Sequence, residues 1–242
     1  LTMPVASLIT LIMVMIIGYC NGITVVKSGL PSFIITLGSL FMIRGFTIAI
    51  SKIITGRTQI GGIEESKGFN IMSSVFSNHL TIAGTDFPIS IFWWMLFGVL
   101  GYFLLKHTQF GNWIFATGAS QESAKLMGIP VQKVKISLFM LTAFCSWFIA
   151  VTQVTTFGGA DVLRGEQKEF IAIIAVVIGG TLLTGGYGSI IGAMIGALIF
   201  GIVKQGIIFA GVDADWFQVF MGVMLVSAVL VNGAFRKKYA QG

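Results

Sequence analysis

The hydrophobic residues of this chain fall in long uncharged runs and not in short amphipathic stripes. The runs cover 1–26, 31–51 with Arg44 as the sole charge, 87–105, 136–160, 170–203 and 216–235. A bilayer core of about 30 Å is crossed by roughly 20 apolar residues in a helix, so each run predicts at least one membrane span. The 170–203 run is too long for one span. Thr184, Gly185, Gly186, Tyr187, Gly188 and Ser189 break it near its middle, because adjacent glycines weaken a helix interior. The pattern therefore predicts an all-α fold: a polytopic transmembrane helical bundle of about seven spans, the only open form besides a closed barrel that satisfies its backbone in lipid.

Composition excludes the soluble classes. Charged residues make up 10% of the chain, against roughly 25% in an average soluble domain. The mean hydropathy is +0.93. A net charge of +6 in a soluble chain would suggest nucleic acid, but here the cations flank apolar runs, where orientation in the bilayer accounts for them. The lipid bilayer is the expected partner, and nucleic acid is not. Cys20 and Cys145 lie inside apolar segments without metal-ligand spacing and read as small core residues, so no metal site is expected. The chain opens at Leu1 inside an apolar run, with neither Met nor a basic leader, and so reads as an N-terminally truncated single membrane domain over 1–242.

Charge placement sets the orientation. The 106–135 loop holds Lys106, Lys125, Lys133 and Lys135 against the single acid Glu122, which marks it as cytoplasmic. Alternation then places the 27–30 turn, the 184–189 turn and the C-terminus inside, and 52–88, 157–169 and 211–216 outside. Lys27, Arg236, Lys237 and Lys238 fall inside, and every acid except Glu122 falls outside. Within the loop, Gly118 to Gly128 reads as a short helix entered through Ser120 as cap and left through Gly128. A basic, Gly-punctuated loop between spans fits a docking surface for a cytoplasmic partner; an ordinary amphipathic connector is the other reading the local pattern leaves open.

Three blocks together carry a family resemblance: SGLPSFIITLGSLFMIRG at 28–45, HTQFGNWIFATGASQESAKLMGIPVQKVKI at 107–136, and IAIIAVVIGGTLLTGGYGSIIGAMIGALIFGIVKQGI at 171–207. They resemble the permease subunit of bacterial monosaccharide importers of the ABC class, the ribose, xylose, arabinose and galactose type. The resemblance implies about ten helices in the intact subunit, with about three upstream of Leu1 and among them a Gly- and Asp-containing motif. It implies a second permease copy, two ATP-binding subunits that hold ATP and Mg, and a periplasmic sugar-binding protein, all at the bacterial cytoplasmic (inner) membrane. No cofactor is then expected in this chain. The 106–135 loop becomes the cytoplasmic coupling loop, with Gly118, Ser120, Glu122, Ala124, Lys125, Gly128 and Ile129 facing the ATP-binding subunit. The nearest rival is a related permease for branched-chain amino acids or nucleosides.

Other candidates have two readings each. Arg44 sits mid-span, where a charge is costly, and either pairs helices or lines a polar path; the family resembled also has Arg-Gly here. Gln153, Thr155 and Thr156 offer hydrogen bonds to sugar hydroxyls or between helices. Asp161, Arg164, Glu166 and Glu169 form a charged outer rim that either contacts a binding protein or anchors at the headgroups. Gly179, Gly180, Gly192 and Gly196 predict close helix packing, the last two as a GxxxG pair. The segment from Ile171 to Thr184 is short for a span, which in transporters points toward the transport path. Lys204, near the outer end of its span, is expected to snorkel.

Competing classes lack their chemistry. No G-x-x-x-x-G-K-[ST] phosphate loop occurs, and Gly186-Tyr187-Gly188 opens a membrane helix and not a strand-turn-helix. A secondary transporter usually shows intramembrane carboxylates, and none of the nine acids lies mid-span. A membrane enzyme needs a reactive cluster, whereas His79 and His107 lie in loops on opposite sides. The chain reads as a transporter permease and not an enzyme.

Overall fold

In the computed structural model the described residues are 2–82, 84–211 and 216–240. Among the described residues, ten α-helices and two small antiparallel sheets divide between two units, one of Leu1–Met95 with Gln132–Gly165, the other of Leu96–Val131 with Glu166–Gly242. The fold is the expected polytopic helical bundle. Asp213 and Asp215, assigned outside from the sequence, and the side chains of Arg236, Lys237 and Lys238, assigned inside, lie outside the described residues.

The first unit is built on α1 (Met3–Ser28), α2 (Ser32–Thr55) and α7 (Val131–Phe157). Gly29, at φ +67, ends α1, and Pro31 sets the entry to α2. Gly18 and Gly22 seat α1 on α7: a Cβ at Gly18 would lie 2.7 Å from Ala143 Cβ, and one at Gly22 would lie 3.0 Å from Ile136 Cα. The loop 52–88, expected outside, is more ordered than the sequence pattern suggests. It holds β1 (Gln59–Ile60), a 3-10 turn (Ile63–Glu65), α3 (Phe69–Phe76) and the hairpin of β2 (His79–Ile82) with β3 (Thr85–Pro88), and leads into α4 (Ile89–His107). Met72, Phe76 and Val151 form the core there, closed by Trp147 and Phe148. The Trp93 and Phe148 rings stand 5.0 Å apart, and the Trp93 indole N–H donates to Val75 O at 2.8 Å.

Three contacts in this unit join segments that the alternation puts outside together. β1 pairs with β4 (Ala160–Asp161), Ile63 N donates to Gly158 O at 3.2 Å, and Met3 N at the start of α1 donates to Lys67 O at 2.9 Å.

The second unit continues from α4 into α5 (Gln109–Ala119) and α6 (Gln121–Leu126), and holds α8 (Lys168–Ile178), α9 (Ile190–Phe209) and α10 (Trp216–Ala240). Its core is Ile174, Phe200 and Met221 from α8, α9 and α10. Among the described residues five helices, α1, α2, α4, α7 and α9, are long and apolar enough to cross a membrane. The segment expected as a short span from Ile171 to Thr184 is helical only to Ile178. Eleven residues of helix reach about 16 Å at 1.5 Å per residue, roughly half of a 30 Å bilayer core, so any crossing here is completed by non-helical backbone. Such backbone is tolerated at membrane depth only inside protein or along a wet cavity.

Candidate functional site

The 106–135 segment is built as two short helices joined at one residue. Thr108 turns the chain out of α4, its hydroxyl accepting from Gly111 N at 3.1 Å and donating to Leu104 O at 2.5 Å. Ser120 then ends α5 and starts α6 at once: its N–H donates to Ala116 O, and its hydroxyl accepts from Ser123 N at 3.3 Å. Gly128, at φ +79, closes α6 in the left-handed conformation, with Gly128 N donating to Lys125 O and Ile129 N to Ala124 O. Ala124 is 0% exposed and pins α6 down. The remaining face is bare: Leu126 is 89% and Met127 67% exposed, beside exposed Glu122 and Lys125.

Behind α6 lies the break between α8 and α9. Gly179 ends α8, Gly180, Gly185 and Gly186 take positive φ, and Ser189 caps α9 through its hydroxyl, which accepts from Gly192 N at 3.0 Å. The break is a folded hairpin, with Leu182 N donating to Tyr187 O at 3.1 Å and Gly185 N to Leu182 O at 3.1 Å. It packs on the end of α5: a Cβ at Gly118 would lie 2.5 Å from Gly186 N, and one at Gly186 would lie 3.0 Å from Ala119 Cα. The 184–189 turn and the 106–135 loop therefore occupy one end of this unit, as the alternation requires. Deeper in, Gly179, Gly192 and Gly196 bring the α8 and α9 backbones together; a Cβ at Gly196 would meet Ala175 O and lie 2.7 Å from Gly179 N. Gly180 has open space beside it and serves the turn alone.

Comparison with known proteins decides the family. The family described as "Branched-chain amino acid transport system / permease component" matches residues 1–229. The chain belongs to this permease family. The permease is 29% identical over 235 residues to the fructose import permease protein FruG of Bifidobacterium longum, covering 95% of this chain and 67% of that protein. It is 30% identical over 216 residues to the ribose import permease protein RbsC of Escherichia coli, covering 89% of this chain and 64% of that protein. It is 33% identical over 228 residues to the autoinducer 2 import system permease protein LsrD of Photorhabdus laumondii, covering 94% and 66%. The chain thus spans about two thirds of the length of these relatives. No solved structure matches significantly.

The remaining candidates of the permease are scattered more widely. Arg44 is partly buried on α2, a helix with no fully buried residue. Thr155 is buried, but its hydroxyl donates to Val151 O and Thr152 O at 3.0 Å, and Thr156 donates to Thr152 O at 2.7 Å, so both are turned onto their own helix. Gln153 shares a face with Thr156 at i, i+3 spacing. Of the charges expected at the outer rim, Asp161 and Arg164 belong to the first unit, Glu166 and Glu169 to the second. Arg164 is engaged internally, donating to Gly159 O at 2.8 Å with its guanidinium 4.6 Å over the Phe157 ring. Asp161 accepts from Leu163 N at 2.9 Å and from the Gln59 amide at 3.1 Å; these bonds, with Arg164 nearby, hold its carboxyl below the usual range. Lys204 turns its ammonium over the Phe217 ring at 5.3 Å.

Sequence reasoning missed three features here. Leu126 and Met127 lie in the short helix expected over Gly118 to Gly128, but nothing in the sequence pattern singles them out. Gly185 and Gly186 read as helix breakers, although they also form the seat of the hairpin on α5. Gly18 and Gly22 carry the same four-residue spacing as Gly192 and Gly196 and were legible as a packing pair in α1.

Proposed function

We propose that this chain is the transmembrane permease subunit of an ATP-driven importer, carrying a monosaccharide delivered by a periplasmic binding protein. The single observation that supports it most is α6: a helix capped at Ser120, closed at Gly128, pinned by Ala124, and presenting Leu126 and Met127 beside Glu122 and Lys125. That is the form of a lever for a soluble partner, here an ATP-binding subunit that holds ATP and Mg. Glu122, Lys125 and Ile129 complete its surroundings. The ribose and fructose import permeases among the relatives favour a sugar cargo, while the family's description keeps branched-chain amino acids as the second reading.

In this account two permease copies face each other in the bacterial inner membrane with their C-termini in the cytoplasm. Closure of the ATP-binding subunits moves α6 and tilts the helices between outward- and inward-open states. Release of cargo requires only that the two states differ in affinity for it. Asp161 on the first unit, and Glu166 and Glu169 on the second, are each candidates for contact with the binding protein. On the first unit Arg44 and Gln153 stand as path candidates, whereas Thr155 and Thr156 turn their hydroxyls onto their own helix; on the second, the non-helical stretch after α8 is backbone suited to border a path.

The test is uptake into proteoliposomes holding the full-length permease, its ATP-binding subunit and its binding protein, with labelled ribose, fructose, xylose, galactose and leucine offered in turn. ATP-dependent accumulation of a sugar is expected. Accumulation of leucine alone would replace the sugar reading with the amino-acid one, and uptake unaffected by ATP would refute both.

A further inference from the structure

We propose that the 181–188 hairpin is a second docking element for the same ATP-binding subunit that receives α6, the two being locked into one face by the contact of Gly118 with Gly185 and Gly186. This rests on the reading of α6 as the partner's contact. The lock is made of backbone. A Cβ at Gly118 would lie 2.5 Å from Gly186 N, and one at Gly185 would lie 2.7 Å from Gly118 O, so neither position has room for any side chain. Gly185 and Gly186 sit at φ +88 and +80, conformations that side-chain-bearing residues rarely adopt. Gly186 also presses on Ala119, the residue immediately before the α6 cap Ser120. Displacement of α6 therefore reaches the hairpin through one residue of chain.

The hairpin is rigid in itself. Leu182 and Tyr187 close its neck by a backbone hydrogen bond, and the Cα of Gly188 faces Thr181 so closely that a Cβ would lie 2.9 Å from its methyl carbon. What it presents outward is apolar: Leu183 is 61% and Tyr187 68% exposed. These lie on the same end of the unit as Leu126 and Met127. Glu122 and Lys125 flank α6 and keep their charges in water, which favours a protein over the bilayer hydrocarbon as the cover of that end. Tyr is also a residue favoured at protein interfaces, offering an apolar ring with a polar tip. Behind the hairpin its two arms run directly into α8 and α9, which the Gly179, Gly192 and Gly196 seam holds together. A partner that grips the hairpin thus acts on the half-length α8 without an intervening flexible loop.

The test uses full-length permease lacking Cys20 and Cys145, with a single cysteine at Met127→Cys, Tyr187→Cys or Ser66→Cys, in nanodiscs with and without the ATP-binding subunit. Maleimide labelling rates are read. The subunit is expected to slow labelling at 127 and at 187 at least tenfold and to leave 66 unchanged. Protection at 127 with an unchanged rate at 187 would overturn the second docking element and leave the α6 reading intact. A Tyr187→Cys site already shielded in nanodiscs without the subunit would identify the bilayer as its cover and overturn the proposal. No protection at 127 in a complex that still co-purifies would refute the α6 reading itself, and the proposal with it.

Discussion

Replacing Gly196 by Ala probes the seam between α8 and α9 with one added methyl group. The new Cβ would meet Ala175 O and lie 2.7 Å from Gly179 N, whereas ordinary contact begins at 3.4 Å, so α8 must retreat by at least about 0.7 Å. A gap of 0.5–1 Å forfeits a quarter to a half of a dispersion contact worth about 0.1–0.2 kcal/mol. Over a seam with about as many contacts as one buried Leu, roughly 40, the loss is about 1–4 kcal/mol. Helix propensity returns about 1 kcal/mol, because Ala is the better helix former. In lipid no hydrophobic term holds the helices together, so the net loss, up to about 3 kcal/mol, falls on packing that has no substitute. Gly201 on the same helix is the control: nothing lies within 4 Å of its Cβ position, so Gly201→Ala is expected to be neutral or slightly stabilising. SDS unfolding titrations in mixed micelles, followed by circular dichroism, measure both. A Gly196→Ala protein as stable as Gly201→Ala would refute the close approach and the reasoning built on it.

Gly128→Val places a β-branched residue at φ +79, at a cost of about 1–3 kcal/mol, and is expected to cut ATP-dependent uptake severalfold while membrane insertion, read by fractionation, is unchanged. Asp161 has a folded-state carboxyl held below its unfolded value of about 3.9, so its support of the β1–β4 pairing is complete above that value and fades as pH falls through the folded one. Protection of the β1 and β4 amides from hydrogen exchange, taken relative to the intrinsic rate at each pH, should fall below about pH 4 in the wild type, and this acid step should disappear in Asp161→Asn. Trp93→Phe removes the indole bond to Val75 O and should lower the thermal midpoint by an amount equivalent to about 1 kcal/mol, measured by fluorescence of a thiol-reactive dye.

Features set by local chemistry were legible in the sequence. Ser120 and Gly128 bracket α6 because a hydroxyl cap and a left-handed glycine act within four residues of themselves. The spans were legible because lipid demands uniform apolar length, which composition reports directly. The early end of α8 was not, since Gly179 stops the helix where it meets the backbone of Gly192 on another element, a contact that no window of sequence contains. The outer elements were hidden for the same reason. β1 has its partner about a hundred residues away in β4, through Gln59 and Asp161. α5 escaped notice because its FGNWIFATGA stretch sits between charged flanks that read as loop. The path candidates show the limit on single side chains, for Thr155 and Thr156 spend their hydroxyl protons on their own helix, an alternative always open to Thr in a span.

The account depends most directly on the side of the membrane that α6 occupies. In a permease lacking Cys20 and Cys145 and expressed without its ATP-binding subunit, Ser120→Cys should resist a membrane-impermeant thiol reagent in intact cells and react once the membrane is opened. Ser66→Cys, on the outer segment that holds Glu64, Glu65 and Lys67, should label in intact cells. Labelling of Ser120→Cys in intact cells would invert the topology, put α6 and its hairpin out of reach of any ATP-binding subunit, and contradict the mechanism.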